Sequence, residues 1–174
     1  MAELVAVPPL LRADQAEPRY TEAVQTAVAA CAVDTAGQTC YICYGEGDED
    51  EGLVRGCACR GDNGFAHVSC LAQGAQATVQ RGVQNGWKRW DTCGLCEQHY
   101  HGVVRCALGW ACWKTYVGRP EVDTSRINAM TAVGNGLKSA GQNRERLGVL
   151  ETQLALMGRV GVNPQAVLAT QGSI

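Results

Sequence analysis

Four closely spaced pairs of metal-binding side chains are the part of this sequence that could do chemistry. In chain order they are Cys40-x2-Cys43, Cys57-x-Cys59, His67-x2-Cys70 and Cys93-x2-Cys96. Zinc prefers four ligands in a tetrahedron, and it takes them from thiolate sulfur and imidazole nitrogen. Eight such ligands predict two closed, structural zinc sites, because a catalytic zinc keeps one position open for water. The spacing alone leaves open which pairs share a metal, since four pairs can combine in three ways.

The ten cysteines of this chain of 174 residues could instead form disulfides if the protein were secreted. The N-terminal segment MAELVAVPPLLRADQAEPRY lacks the basic start and the unbroken apolar run of a signal peptide. The most apolar stretch, GVVRCALGWACWKTYVG, is interrupted by Arg105 and Lys114, so we expect no membrane span. We therefore expect a cytoplasmic or nuclear protein whose clustered cysteines bind metal.

The composition limits both the core and the partners. Hydrophobic residues make up 46% of the chain, but aromatic residues make up only 6%, which leaves little material for one large core. Metal binding is expected to supply part of the stability that apolar burial cannot. The formal net charge of −2 gives no reason to expect nucleic acid or an anionic membrane as a partner.

The ligand order and the residues around it resemble the RING-CH (RING-variant) zinc finger. The matching segments are CYICYGEG, LVRGCACRG, FAHVSCL and RWDTCGLCEQHY, within a predicted zinc domain of residues 36–100. The PHD finger has the same ligand order, but it usually spaces its second pair more widely and carries a tryptophan two residues before the seventh ligand. In this sequence Trp90 stands three residues before Cys93.

The resemblance implies a small α+β domain in which two Zn²⁺ ions are held in a cross-brace. One site would then consist of Cys40, Cys43, His67 and Cys70, and the other of Cys57, Cys59, Cys93 and Cys96. Folding and metal binding would be one event, worth on the order of 10 kcal/mol per zinc. The soluble members of the family are the ones that this sequence resembles.

The resemblance also implies a function. RING-CH domains are typically ubiquitin ligases that hold a ubiquitin-conjugating enzyme and form no covalent intermediate themselves. Their docking surface uses an apolar residue in the first knuckle, here Ile42, and a tryptophan after the third pair, where this sequence has Gly74. A basic residue often follows the last ligand, and here that residue is Glu97. Trp87 and Trp90 could supply aromatic surface to a partner or could pack on the zinc core.

These departures leave three hypotheses about function. The first is a ubiquitin ligase with at most weak activity, and the second is a non-catalytic adaptor that keeps the zinc scaffold and binds partners. Ile42 and the complete ligand set are compatible with both, whereas Gly74 and Glu97 favour the adaptor. The third hypothesis is a PHD-type reader of histone tails.

Helices are predicted on both sides of the zinc domain. Residues 1–20 are predicted to be a flexible tail, and residues 21–34 a short helix with Thr21 as its N-cap. Further helices are predicted over 71–81 and 101–118, with a turn at QNGW between them and a solvated acidic loop, EGDEDEG, over 46–52. Cys31, Cys106 and Cys112 are expected to be buried in helices, and His99 and His101 to lie outside the ligand sets.

Residues 121–174 are predicted to form a helical hairpin with its turn at SAGQN. The hairpin is similar to one tetratricopeptide-type helix pair, although an ordinary hairpin packed on the zinc domain fits the pattern equally well. Its second helix would bury a stripe formed by Leu147, Leu150 and Leu154. The last segment, NPQAVLATQGSI, could begin a further repeat.

Overall fold

The computed structural model describes residues 8–47 and 51–161 of the chain. Within these residues the fold is mostly helical with one small antiparallel sheet, so the expected α+β class is confirmed. The helices are α1 (Ala13–Thr35), α2 (Val68–Gln80), α3 (Gly102–Tyr116), α4 (Thr124–Ser139) and α5 (Asn143–Val160), with short 3-10 helices at Pro9–Leu11 and Gly86–Trp90. The sheet pairs β1 (Leu53–Val54) with β2 (Ala66–His67), and Leu53 lies opposite His67.

The first helix is longer than the sequence pattern predicts. It begins at Ala13, so the predicted tail is wrong for residues 13–20, and Thr21 lies inside the helix rather than at its N-cap. The physical reason is packing: Leu11 and Ala16 are buried, and the Lys114 ammonium of α3 lies 4.4 Å from the Tyr20 ring centroid. These contacts outweigh the backbone hydrogen bond that Pro18 removes within the helix. Residues 1–7 of the predicted tail lie outside the described residues.

The α3 helix is the centre of the molecule and packs tightly against α4. A Cβ on Gly109 of α3 would stand 2.6 Å from the carbonyl oxygen of Ala132, and one on Gly136 of α4 would stand 2.8 Å from Cα of Cys106. Two glycines therefore let the two helix backbones touch at two levels. The fully buried side chains of Leu108 and Trp113 fill the remaining space around α3.

Both helices of the predicted C-terminal hairpin are present, but α5 buries a different face from the expected one. Leu147 and Leu154 are 57% and 61% exposed, so the predicted buried stripe is wrong. The buried face instead includes Val149, Thr152, Gln153, Leu156 and Met157. Gln153 can lie there because its side-chain amide donates hydrogen bonds to the Thr131 hydroxyl at 2.6 Å and to the Ile127 carbonyl at 3.4 Å. Residues 163–174, the predicted start of a further repeat, lie outside the described part.

The remaining predicted elements differ from the structure mainly at their ends. The α2 helix begins at Val68, so it contains the ligand Cys70 rather than following it. The predicted helix over 101–118 is present as α3. The predicted turn at QNGW is taken by Asn85 in the left-handed conformation, followed by the second 3-10 helix. No helix formed by the described residues has both the length and the apolar character that crossing a bilayer requires.

Candidate metal centre

The structure gathers the eight predicted ligands into two groups of four. Within each group the candidate ligand atoms all lie within 4.8 Å of one another. The groups are Cys40, Cys43, His67, Cys70 and Cys57, Cys59, Cys93, Cys96. Pairs one and three share a site, as do pairs two and four, so the chain crosses between the sites in the interleaved order that the family resemblance implies.

Two knuckles of the same backbone form supply the first pair of one site and the last pair of the other. In each knuckle the residue after the second cysteine is left-handed, with φ 62° at Tyr44 and 57° at Glu97. Its N–H donates to the carbonyl of the first cysteine, at 2.8 Å for Cys40 and 3.1 Å for Cys93. This turn brings two sulfurs of a C-x2-C pair to one side of the chain, where a single ion can contact both.

The histidine of the first site is held in a defined orientation. Its Nδ1 atom lies 3.4 Å from Sγ of Cys43 and 3.7 Å from Sγ of Cys70. Its other nitrogen, Nε2, lies 3.1 Å from the carbonyl oxygen of Glu46, to which it can donate a hydrogen bond. An imidazole that donates from one nitrogen presents the other as a ligand, so this contact selects Nδ1 of His67 for the metal.

The helix that carries Cys70 is capped by a side chain from a distant loop. Glu51 accepts hydrogen bonds from the backbone N–H of Ser69 at 2.8 Å and from its hydroxyl at 2.5 Å. An acid at a helix N-terminus satisfies a free backbone donor and interacts favourably with the helix dipole. Sequence reasoning placed Glu51 in a solvated acidic loop and missed this role. Residues 48–50 of that loop lie outside the described residues.

The distances within both groups fit zinc. A zinc–sulfur bond of about 2.3 Å and a zinc–nitrogen bond of about 2.0 Å give tetrahedral edges of about 3.8 Å between sulfurs and about 3.5 Å between sulfur and nitrogen. Sγ of Cys59 and Sγ of Cys93 are 3.8 Å apart in the second group. In the first group, the distances from Nδ1 of His67 to Sγ of Cys43 and to Sγ of Cys70 lie close to the expected sulfur–nitrogen edge. Each group can therefore hold one Zn²⁺ ion with protein atoms at all four positions.

The thiols of each cluster have opposed pKa shifts when no cation is present. Burial alone would raise the pKa of Cys40. Backbone hydrogen bonds from Cys43, His67 and Ile42 outweigh burial together and lower this pKa to about 7. Burial, followed by the neighbouring thiols, raises the pKa of Cys70 to about 12. The second site shows the same contrast, with a pKa of about 7 at Cys96 and about 11 at Cys57. A full set of thiolates therefore needs a bound cation to offset burial and mutual repulsion.

The two histidines outside the ligand groups support the surrounding structure. Nδ1 of His99 lies 3.0 Å from Oδ2 of Asp91, and the backbone N–H of His101 donates to the Gly56 carbonyl at 2.8 Å. Neither belongs to a group of ligands. Of the other cysteines, Cys106 and Cys112 are buried in α3 and Cys31 is half-buried in α1.

The predicted docking residues have different environments. Ile42 is 40% exposed at the tip of the first knuckle, where a partner could reach it. Trp90 is only 3% exposed, which favours packing on the zinc domain over contact with a partner. Its ring packs edge-on against Tyr116 of α3, with 6.0 Å between ring centroids, and the half-buried Trp87 lies 5.0 Å from the same ring. The aromatic cluster joins the second 3-10 helix to α3.

Residues 40–96 match the family model of the RING-variant domain. The match covers about a third of the chain and runs from the first ligand, Cys40, to the last, Cys96. Residues 40–96 therefore form a RING-variant domain, and its two groups of ligands are two sites that can each hold one zinc ion. Comparisons with curated proteins and with solved structures found no match.

Proposed function

We propose that this protein is a ubiquitin ligase of the RING type, whose zinc domain holds a ubiquitin-conjugating enzyme. The observation that carries the proposal is the pair of exposed apolar side chains at the two knuckle tips, Ile42 at 40% and Leu95 at 50% exposure. Apolar side chains grouped on a surface favour contact with another protein. The RING-variant match supports the same class of partner.

The Tyr41 side chain reaches from the first knuckle to the second, and we propose that Ile42 and Leu95 contact one partner. A Cβ placed on Gly94 would lie 3.9 Å from the Tyr41 hydroxyl oxygen, and these two residues directly precede Leu95 and Ile42. Tyr44, which is 82% exposed, follows the first knuckle on the same loop. We call Ile42, Tyr44 and Leu95 the knuckle surface. It offers a small apolar patch on a backbone that both metal sites hold rigid.

The proposed mechanism needs no reacting group on this chain. Zinc, when bound, supplies structural cross-links, because protein atoms take all four positions of each site. The knuckle surface would hold the conjugating enzyme in one orientation, so that its thioester meets a substrate lysine more often in a reactive geometry. Orientation of this kind can lower a barrier by several kcal/mol without covalent catalysis.

An autoubiquitination assay over a panel of conjugating enzymes tests this proposal. We expect product with at least one enzyme, and we expect Ile42→Ala and Leu95→Ala each to reduce the rate about tenfold, a loss of about 1.4 kcal/mol. Val83→Ala is the matched control, because Val83 is about as exposed as Leu95 but lies outside the knuckles. Absence of product with every enzyme, from protein loaded with two zinc ions, would reject the ligase.

A specific observation favours the adaptor as the second candidate. RING-CH domains often have a basic residue directly after the last ligand, whereas here Glu97 occupies that position. Its carboxylate pairs with Arg89 at 2.8 Å and with Lys88 at 3.6 Å. The hydrogen bond from Arg89 lowers the pKa of Glu97. An acid in the place of this base favours the adaptor over the ligase. Binding of a conjugating enzyme to the knuckle surface, measured by calorimetry, without ubiquitin transfer would support the adaptor over the ligase.

A further inference from the structure

We propose a second docking surface, on the outer face of α5, for an amphipathic helix of another protein that carries acidic residues beside its apolar side. The surface consists of Leu147, Leu150 and Leu154, and we call it the leucine face. This proposal does not depend on ligase activity. It follows from the rotation of α5 that turns these leucines away from α4.

The leucine face is one continuous stripe. Its members are spaced by three and four residues, which places them on one side of a helix over about 10 Å. Leu147 and Leu154 are exposed and Leu150 is half-buried at the edge. Single exposed leucines are common on protein surfaces, but three aligned on one helix form the pattern that a partner helix buries.

The charges around the leucine face indicate the chemistry of the partner. Arg144 and Arg146 at the start of α5 flank the Leu147 end, because the helical repeat places Arg144 one turn before Leu147 and Arg146 beside it. Among the described residues neither arginine forms an ion pair. Glu151 is the one acid that the helical repeat places beside the stripe. Two unpaired cations and one acid favour a partner helix with carboxylates at its flanks, which would speed association and set its orientation.

A second copy of this chain fits the leucine face less well. Stable dimers bury about 1,200–2,000 Å² in total, whereas a stripe about 10 Å long can bury only a fraction of that area. Two copies would also bring two net-basic surfaces together. A short apolar stripe with complementary charge is instead suited to a transient complex with a different protein.

Binding of two labelled synthetic peptides to the full-length, zinc-loaded protein, followed by fluorescence anisotropy, tests the proposal. Both peptides are helical with leucines at heptad spacing; one carries glutamates beside the leucines and the other carries lysines. We expect the acidic peptide to bind at least about tenfold more tightly than the basic one. We expect Arg144→Glu with Arg146→Glu to reverse this preference. Equal binding of both peptides would overturn the proposal.

Variants of the leucine face locate the binding. Leu147→Ser with Leu154→Ser is expected to weaken binding of the acidic peptide by about tenfold or more. Val33→Ser is the matched control, because Val33 is exposed on α1. The affinity of this variant for the acidic peptide should be unchanged. Unchanged thermal unfolding of the double variant shows that the fold is intact. Unchanged affinity of the double variant would overturn the proposal.

Either of two further results would assign the leucine face to an occupant other than the proposed helix. A dimer in sedimentation that Leu154→Ser dissociates would assign the leucine face to a second copy. A rise of about tenfold in peptide affinity on Leu168→Ser would assign it to residues 162–174 of this chain. We expect a monomer in sedimentation, and we expect Leu168→Ser to leave the affinity of the acidic peptide unchanged.

Discussion

Gly64 lies directly against Cys59 in the second metal centre. A Cβ on Gly64 would stand 2.6 Å from Cβ of Cys59, 3.0 Å from its sulfur and 3.3 Å from the sulfur of Cys57. Gly64 also has φ of 85°, a conformation that residues with side chains rarely adopt. The close C-x-C pair therefore needs a residue without a side chain five positions after Cys59.

Gly64→Ala is expected to weaken zinc binding at the second site and to lower the free energy of unfolding by more than about 2 kcal/mol, from overpacking and backbone strain together. Native mass spectrometry under increasing chelator concentration would show loss of one zinc before the other. Gly61→Ala is the control, because Gly61 also has positive φ (60°) but a Cβ there meets nothing within 4 Å. We expect it to cost about 1 kcal/mol and to retain both zincs. Equal zinc loss in the two variants would show that backbone strain, and not contact with the cysteines, is responsible.

A paired ion contact couples the zinc domain to α3. Nε and Nη2 of Arg105 donate to the two carboxylate oxygens of Asp91, each at 2.7 Å, and both side chains are largely shielded from solvent. We expect Arg105→Ala to lower the free energy of unfolding by about 2 kcal/mol, because it leaves a shielded carboxylate without this partner. Glu17→Ala removes a more exposed pair with Lys114 and should cost less than about 1 kcal/mol. Urea unfolding of the zinc-loaded proteins compares the two, and equal costs would contradict the expected coupling.

The metal ligands could be predicted from the sequence because their geometry is local. A C-x2-C turn brings two sulfurs together through a few backbone hydrogen bonds, so spacing alone reveals each pair. The pairing of distant segments, such as residues 40–43 with His67, came from family resemblance, and the structure places those atoms together. The supporting contacts were not predictable in this way, since the Glu51 cap joins residues 18 positions apart.

The errors share one physical cause, which is that tertiary packing overrides local pattern. The apolar period of α5 predicted a buried leucine stripe, but hydrogen bonding by Gln153 lets a partly polar face pack on α4. The proline at position 18 suggested a tail, but burial of Leu11 and Ala16 favours helix there.

The close approach of α3 and α4 predicts opposite effects for two glycine substitutions. A Cβ on Gly136 would meet backbone atoms of Arg105 and Cys106 at 2.9 Å and 2.8 Å, and backbone cannot move aside without separating the helices. We expect Gly136→Ala to destabilise the protein by at least about 2 kcal/mol. Gly148 of α5 has open space, so Gly148→Ala should stabilise by up to about 1 kcal/mol through helix propensity. Thermal unfolding that shows the same sign for both variants would contradict the packing described for Gly136.

A larger side chain at position 74 is expected to produce a gain of function. The resemblance to RING-CH domains implies a docking surface that often includes a tryptophan after the third ligand pair, and here that position has no side chain. Gly74 is exposed on α2 and a Cβ there meets nothing within 4 Å, so the helix can accept a larger residue. If the knuckle surface holds a conjugating enzyme, Gly74→Trp should increase binding and autoubiquitination about tenfold, since a buried aromatic ring adds about 1.4 kcal/mol or more.

The neighbouring position provides the control for this gain. Gln73 is also exposed on α2, but the helical repeat turns it about 100° away from Gly74. Gln73→Trp adds the same aromatic surface, so it should leave both the affinity for the conjugating enzyme and the rate unchanged. Comparison of the two variants by calorimetry and by the transfer assay therefore separates a specific contact from a general increase in surface hydrophobicity. A gain in both variants, or in neither, would count against a partner that contacts α2 next to the knuckles.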